Sequence, residues 1–147
     1  MLSVAALQYC SSDNIAQTLK NVRPIIAEAS LHAKFIALPE CANYLAADRD
    51  QLNQTAEWED DSYSQNWFSN RAKEFGIWLL AGSLMIRRRD DSRLVNRSLL
   101  FGPNGNIMAT YDKIHMFDAN LDDGKSYRES LSFASGLSPV IANIEEV

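Results

Sequence analysis

The chain has 147 residues, 46% of them hydrophobic and 22% charged, an ordinary composition for a folded domain that excludes intrinsic disorder. Lys and Arg number 14 against 19 Asp and Glu, and the resulting net charge of −5 argues against nucleic acid or an anionic membrane surface as partner. Cys10 and Cys41 are too few for a disulfide framework and form no Cys-x-x-Cys pair. With two histidines and no carboxylate motif at ligand spacing, metal binding is not expected. The apolar stretch at residues 2–7 is too short for a signal peptide, and no window approaches the roughly 18 apolar residues of a membrane span. A cytoplasmic, reducing setting follows, in which the sequon matches at Asn53 and Asn96 are accidental.

Residues 3–9 (SVAALQY) predict a buried strand, and Ser12, Asp13 and Asn14 offer a helix N-cap. Ile15, Leu19, Val22, Ile26, Ala29 and Ala33 recur at steps of three and four, one face of an amphipathic helix that Pro24 should kink. Residues 34–38 (KFIAL) predict a second buried strand, completing a parallel β-α-β unit. A polar loop is expected from Pro39 to about Ser62. A helix over 63–75 follows, carrying Trp67, Phe68, Ala72 and Phe75 on one side and stopped by Gly76. Strands are predicted at 77–87 and 94–101, joined by a turn at Asp90-Asp91-Ser92. The basic run Arg87-Arg88-Arg89 before it reads as a solvated turn. The sequence GPNGN (102–106) is a strong hairpin turn into a return strand at 107–111. A long loop over 112–136 and a final strand at 139–144 complete a β-α-β-α-β-β-β-β order, an α/β layered arrangement with a mixed sheet. Two helices do not cover both faces of six strands. The unit therefore reads as incomplete or completed by a partner, with a homo-oligomer expected.

Three charged residues stand out. Glu40 follows the second strand, at the end where open α/β sheets place their ligands. Lys113 lies in the dense polar and aromatic run YDKIHMFD, and Glu129 in YRES. Each alone has a plain reading as solvated surface. His115 reads as a packing residue, His32 as a partner of a helix C-terminus, and Trp58, Trp67 and Trp78 as core or interface aromatics. No Gly-x-Gly-x-x-Gly or Walker pattern follows the first strand, so nucleotide binding has no support.

Taken in order, LPECANY (38–44), AKEFGIWLLAGS (72–83), VNRSLLFGPNGNIMATYDKIHMFD (95–118) and YRESLSFASG (127–136) resemble the carbon–nitrogen hydrolase, or nitrilase-related, family. The LPEC-x-N and KIH-x-FD variants are most similar to the branch holding ω-amidase and deaminated-glutathione amidase. The resemblance implies hydrolysis of non-peptide C–N bonds in small-molecule amides by a Glu-Lys-Cys triad without a cofactor. Glu40 then matches the general base, Lys113 the triad lysine, and Glu129 the second glutamate often close to the site. It also implies a four-layer α-β-β-α sandwich about twice as long, so residues 1–147 are expected to be its N-terminal half. The family nucleophile lies in a later segment like CYDxRFP, which this chain lacks. Cys10 reads as a small core or edge residue. Cys41, next to Glu40 in backbone expected to be extended, would point away from it. On this reading the chain is inactive alone. The rival reading is a catalytically dead interaction or regulatory module that associates with itself or with a full-length relative.

Overall fold

The computed structural model describes residues 2–122 and 124–144. Strand β1 (Val4–Ala6), helix α1 (Ile15–Ser30) and strand β2 (Phe35–Ala37) form the expected parallel β-α-β unit, with Val4 opposite Phe35. Asn14 is the N-cap, its side chain accepting from the Gln17 N–H. Leu19, Val22 and Ile26 are fully buried, and α1 continues through Pro24 to Ser30.

Strand β4 (Trp78–Arg87) is the spine of the sheet. It pairs in parallel with β2 at its start and with the two-residue β3 (Glu57–Trp58) at its end. Its other edge takes β5 (Leu94–Phe101) antiparallel, and β5 takes β6 (Ile107–Asp112) antiparallel. The sheet order is thus β1-β2-β4-β5-β6, with β3 on the β2 edge of β4. The β4–β5 register shifts between Ala81 and Leu84. This bulge changes the side-chain parity, so that Leu79, Ala81, Leu84 and Ile86 all join one core. That core is closed by Leu19, Val22 and Ile26 of α1 and by Phe68 and Ala72 of α3 (Tyr63–Phe75). Ser62 caps α3, and Gly76 ends it in the left-handed conformation at φ 59°.

Three expectations are corrected. The polar loop contains α2 (Arg49–Thr55), capped by Asp48, and β3; α2 buries only Leu52, so it carries no readable 3.6-residue period. The loop over 112–136 contains a small hairpin, β7 (Asp118–Asn120) with β8 (Ser126–Arg128), followed by a 3₁₀ turn (Glu129–Leu131). Each of these strands has only three residues, too few for its polar–apolar–polar order to read as an alternation. Residues 139–144 form no strand. Val140, Ala142 and Ile144 do keep a two-residue alternation, lining a depression with Phe35, Leu80, Leu100 and Tyr111 on the outer sheet face. Alternation without a pairing partner does not make a strand, and none pairs with this segment among the described residues. Trp58 is also less buried than expected: it is 38% exposed and lies under the guanidinium groups of Arg87 and Arg89, whose carbons sit 5.4 and 4.1 Å from the ring centre.

After β2 the chain passes over Gly82, where a Cβ would lie 2.2 Å from the Leu38 carbonyl oxygen and 2.3 Å from that of Pro39. Only glycine fits there, because both neighbours are backbone. We expect Gly82→Ala to cost at least about 2 kcal/mol of stability, since the loop carrying Glu40 must move to admit a methyl group. Phe68→Ala in the inner core should cost about 3–5 kcal/mol. Urea unfolding followed by circular dichroism checks both, and an unchanged midpoint for Gly82→Ala would show that the close approach is dispensable.

Candidate active site

Three separate stretches deliver the charged residues that the sequence singles out. Glu40 stands in the loop after β2. Backbone bonds from the Cys41 N–H to Ser83 Oγ (2.9 Å) and from the Ala42 N–H to the Ser83 carbonyl (2.8 Å) pin that loop along β4. Ser11 Oγ and the Tyr9 hydroxyl add bonds to the carbonyls of Cys41 and Ala42 at 2.6 and 2.7 Å. Lys113 follows β6 directly. Its N–H donates to the Asn96 carbonyl at 2.9 Å and its carbonyl accepts from the Gly136 N–H at 2.8 Å. Gly136 packs so closely that a Cβ would be 2.1 Å from the Asp112 carbonyl oxygen. Asp112 itself is clamped by Arg97 at 2.7 and 3.0 Å. Glu129 opens the 3₁₀ turn.

The structure brings all three together. Lys113 Nζ lies 3.1 Å from Glu40 Oε1 and 3.1 and 2.9 Å from the two oxygens of Glu129. Asn96 Nδ2 donates to Glu40 Oε1 at 2.7 Å, and the Phe117 N–H donates to Glu129 Oε2. Burial alone would lower the Lys113 pKa, but the hydrogen bonds and charges of Glu129 and Glu40 outweigh it and hold the ammonium above its ordinary value. Lys113 is therefore a fixed cation at neutral pH.

The two carboxylates differ. Both oxygens of Glu129 are occupied and its side chain is 15% exposed. Glu40 is bonded through Oε1 only, its Oε2 accepts no hydrogen bond among the described residues, and its side chain is 58% exposed. Chemically, Glu129 can hold the lysine, while Glu40 keeps an oxygen open to an arriving proton.

Two adjoining depressions meet at these groups. One, of about 500 Å³, is lined by Glu40, Lys113 and Glu129 together with Phe117, Tyr127 and Arg128 from the β7–β8 region. The other, of about 170 Å³, runs beside it towards Tyr44, Leu52, Met85 and Phe133. Leu52, Met85 and Phe133 belong with Leu94 to a second, smaller core.

Cys41 lines both depressions. Its backbone is not extended as expected but left-handed, at φ 56°, so it does not turn away from Glu40's side of the loop. Its chemistry is a poor match for a nucleophile instead. Burial first, then the charges of Glu40 and Glu129, push the thiol up to about 11 against the pull of Lys113. Cys10 is exposed rather than a core residue. His115 and His32 are exposed, His32 lying 3.6 Å from Glu28 one turn earlier in α1. No group of three or more His, Cys, Asp or Glu able to hold a metal occurs among the described residues, and none of their helices is long and apolar enough to cross a membrane. Asn96, which orients Glu40, is the site residue that residue-by-residue reading passed over. Its sequon match is the one feature the sequence offers there; the side chain is 4% exposed in the middle of β5.

The sequence model of the carbon-nitrogen hydrolase family matches residues 3–144. The chain is 33% identical over 144 residues to a deaminated glutathione amidase of Yersinia enterocolitica, covering 96% of this chain and 50% of that protein. It is 32% identical over 139 residues to omega-amidase NIT2 of Homo sapiens, covering 92% and 47%. In fold it matches Saccharomyces cerevisiae Nit3, a member of branch 10 of the nitrilase superfamily, with a TM-score of 0.81 at 22% identity over 98% of this chain and 52% of that one. XC1258 of Xanthomonas campestris, solved with an arsenic adduct in its active site, gives 0.80 at 21% identity over 98% and 49%. The chain spans about half the length of the relatives it matches, so its α/β sheet corresponds to part of the nitrilase-superfamily fold. By the extent of the family match and the level of identity, the chain belongs to the carbon-nitrogen hydrolase family.

Proposed function

We propose that residues 1–147 are the N-terminal half of an amidase-type hydrolase of small amides, supplying Glu40 as general base, Lys113 as the cationic triad member and Glu129 as its support. A thiol from outside these residues completes the centre. The observation that carries this reading is Lys113 held between two carboxylates, one of which keeps an open oxygen. The substrate class is a small ω-amide of a dicarboxylic acid, supported by the likeness to proteins named omega-amidase and deaminated glutathione amidase.

In this chemistry Glu40 Oε2 takes the thiol proton and the thiolate attacks the amide carbon. The carbonyl oxygen becomes an oxyanion beside the Lys113 ammonium. If one N–H is shared across both Glu129 oxygens and one donates to Glu40, a third remains for that oxyanion. The C–N bond breaks as Glu40 returns its proton to nitrogen, releasing ammonia and leaving a thioester. Water then attacks the thioester while Glu40 takes its proton, and the thiol and the free carboxylic acid are released.

The second reading, a binding module without turnover, draws on the outer sheet face. Met108, which lines a depression there with Trp78 and Asn143, is 51% exposed, and Ile141 of the segment over this face is 93% exposed. On either reading this face favours association with a second copy. Light scattering should show a species larger than the monomer, and a monodisperse monomer would remove self-association.

Activity separates the two readings. Ammonia release from an ω-amide such as glutaramate should be absent for residues 1–147 alone. It should appear when the chain is joined to the C-terminal half of the Yersinia relative, and Glu40→Gln should lower it by about 10³-fold or more with folding intact. Wild-type rates in Glu40→Gln, or turnover by residues 1–147 alone, would overturn the assignment.

The thiol chemistry has its own test. Iodoacetamide at pH 8 should label Cys10 and spare Cys41, whose labelling should rise about tenfold per pH unit towards about 11 as the thiolate forms. Rapid Cys41 labelling at pH 7, read by peptide mass spectrometry, would restore it as a nucleophile.

A further inference from the structure

The larger depression carries a second cation. Arg128, at the end of β8, lines it together with Glu40, Lys113 and Glu129. The guanidinium is held in place by the hairpin itself: Nη1 donates to the carbonyls of Ala119 and Tyr127 at 3.2 and 2.7 Å, and Nη2 donates to Asn120 Oδ1 at 2.6 Å. All three acceptors are uncharged. Arginine has five N–H donors, so Nε–H and one N–H of Nη2 remain without a partner among the described residues.

No carboxylate pairs with this guanidinium among the described residues; Arg49 and Arg87 likewise bond to backbone carbonyls, whereas Arg23, Arg71, Arg88, Arg89, Arg93 and Arg97 have acidic partners, and of the three without one only Arg128 lines this depression. The obvious candidate, Asp118, lies directly across the β7–β8 ladder. Its oxygens are instead taken by the Ser130 N–H at 3.0 Å and the Ser130 hydroxyl at 2.6 Å.

We propose that Arg128 is the residue that reads the far carboxylate of the substrate, a specificity role that rests on the amidase reading above. Charge balance supports it. Glu40 and Glu129 bring two negative charges to the depression and Lys113 one positive, so without Arg128 an anionic substrate would meet net repulsion. A planar guanidinium already fixed by neutral acceptors, with two donors unused, suits a carboxylate and loses little freedom on binding it. The Phe117 and Tyr127 rings, 5.5 Å apart between centres, flank the same depression and give the aliphatic stem of such a substrate an apolar wall.

The test uses the chain as it is and needs no turnover. Saturation-transfer NMR compares glutaramate with glutaramide, which differ only in a carboxylate against a neutral amide. The wild-type chain should bind glutaramate about tenfold more tightly, Arg128→Gln should lose that preference while still binding glutaramide, and Arg128→Lys should keep part of it. Equal binding of the two probes by wild type would overturn the inference, as would an unchanged preference in Arg128→Gln. Loss of both probes in Arg128→Gln would also overturn it, by reducing Arg128 to a support of the hairpin. Because binding does not require the thiol, a negative result here is distinct from failure of the completed chain to release ammonia, which would count against the amidase reading alone.

Discussion

The ammonium of Lys113 is the charge around which this site is organised. Without it, Glu40 and Glu129 would face each other across the depression as two uncompensated like charges. With it, three stretches far apart in sequence are tied together: the loop after β2, the end of β6 and the 3₁₀ turn after the hairpin. Its position depends less on the side chain than on the backbone around it, bonded on one side to Asn96 in the middle of β5 and on the other to Gly136. Asn96 contributes twice, through its carbonyl to Lys113 and through its amide to Glu40. A single buried residue thus bonds to both Glu40 and Lys113.

The same logic separates two glutamates that composition cannot tell apart. Glu129 is saturated with donors and shielded, so its charge is committed to holding the lysine. Glu40 is half committed and open. A general base needs an accessible lone pair as well as a partner that fixes its orientation, and only Glu40 has both.

Much of the scaffold was legible in the sequence, for identifiable reasons. The β-α-β start shows in the spacing of Leu19, Val22 and Ile26, and the β5–β6 turn shows in GPNGN. Both are local signals, set by side-chain period and turn chemistry. Elements too short to show a period escaped, α2 with its single buried Leu52 above all. The final strand failed for the opposite reason: Val140, Ala142 and Ile144 alternate correctly, but pairing is a property of two segments and cannot be read from one. Nor could β4 disclose its bulge, because the apolar residues on both sides of Gly82 and Ser83 hide the change of parity. As for the site, Glu40, Lys113 and Glu129 look like ordinary surface one at a time and stood out only through the joint order of their motifs. Asn96 and Arg128 had no such help: what distinguishes them is the partners they have or lack in space.

The close approach at Gly82 has a consequence for how such a site can diversify. One wall of the depression is the loop bearing Glu40, pressed against β4 with no room for even a methyl group between them. Another wall is a two-strand hairpin with exposed side chains, tied through Asp118 to Ser130 of the turn that carries Glu129. Substitutions at the exposed positions of the hairpin leave Glu40 and Lys113 in place as long as Asp118 keeps its hold on Ser130 beside Glu129, whereas the loop at Gly82 does not admit even a methyl group. The cleft thus has one wall locked sterically against the sheet and another whose exposed side chains have room to change.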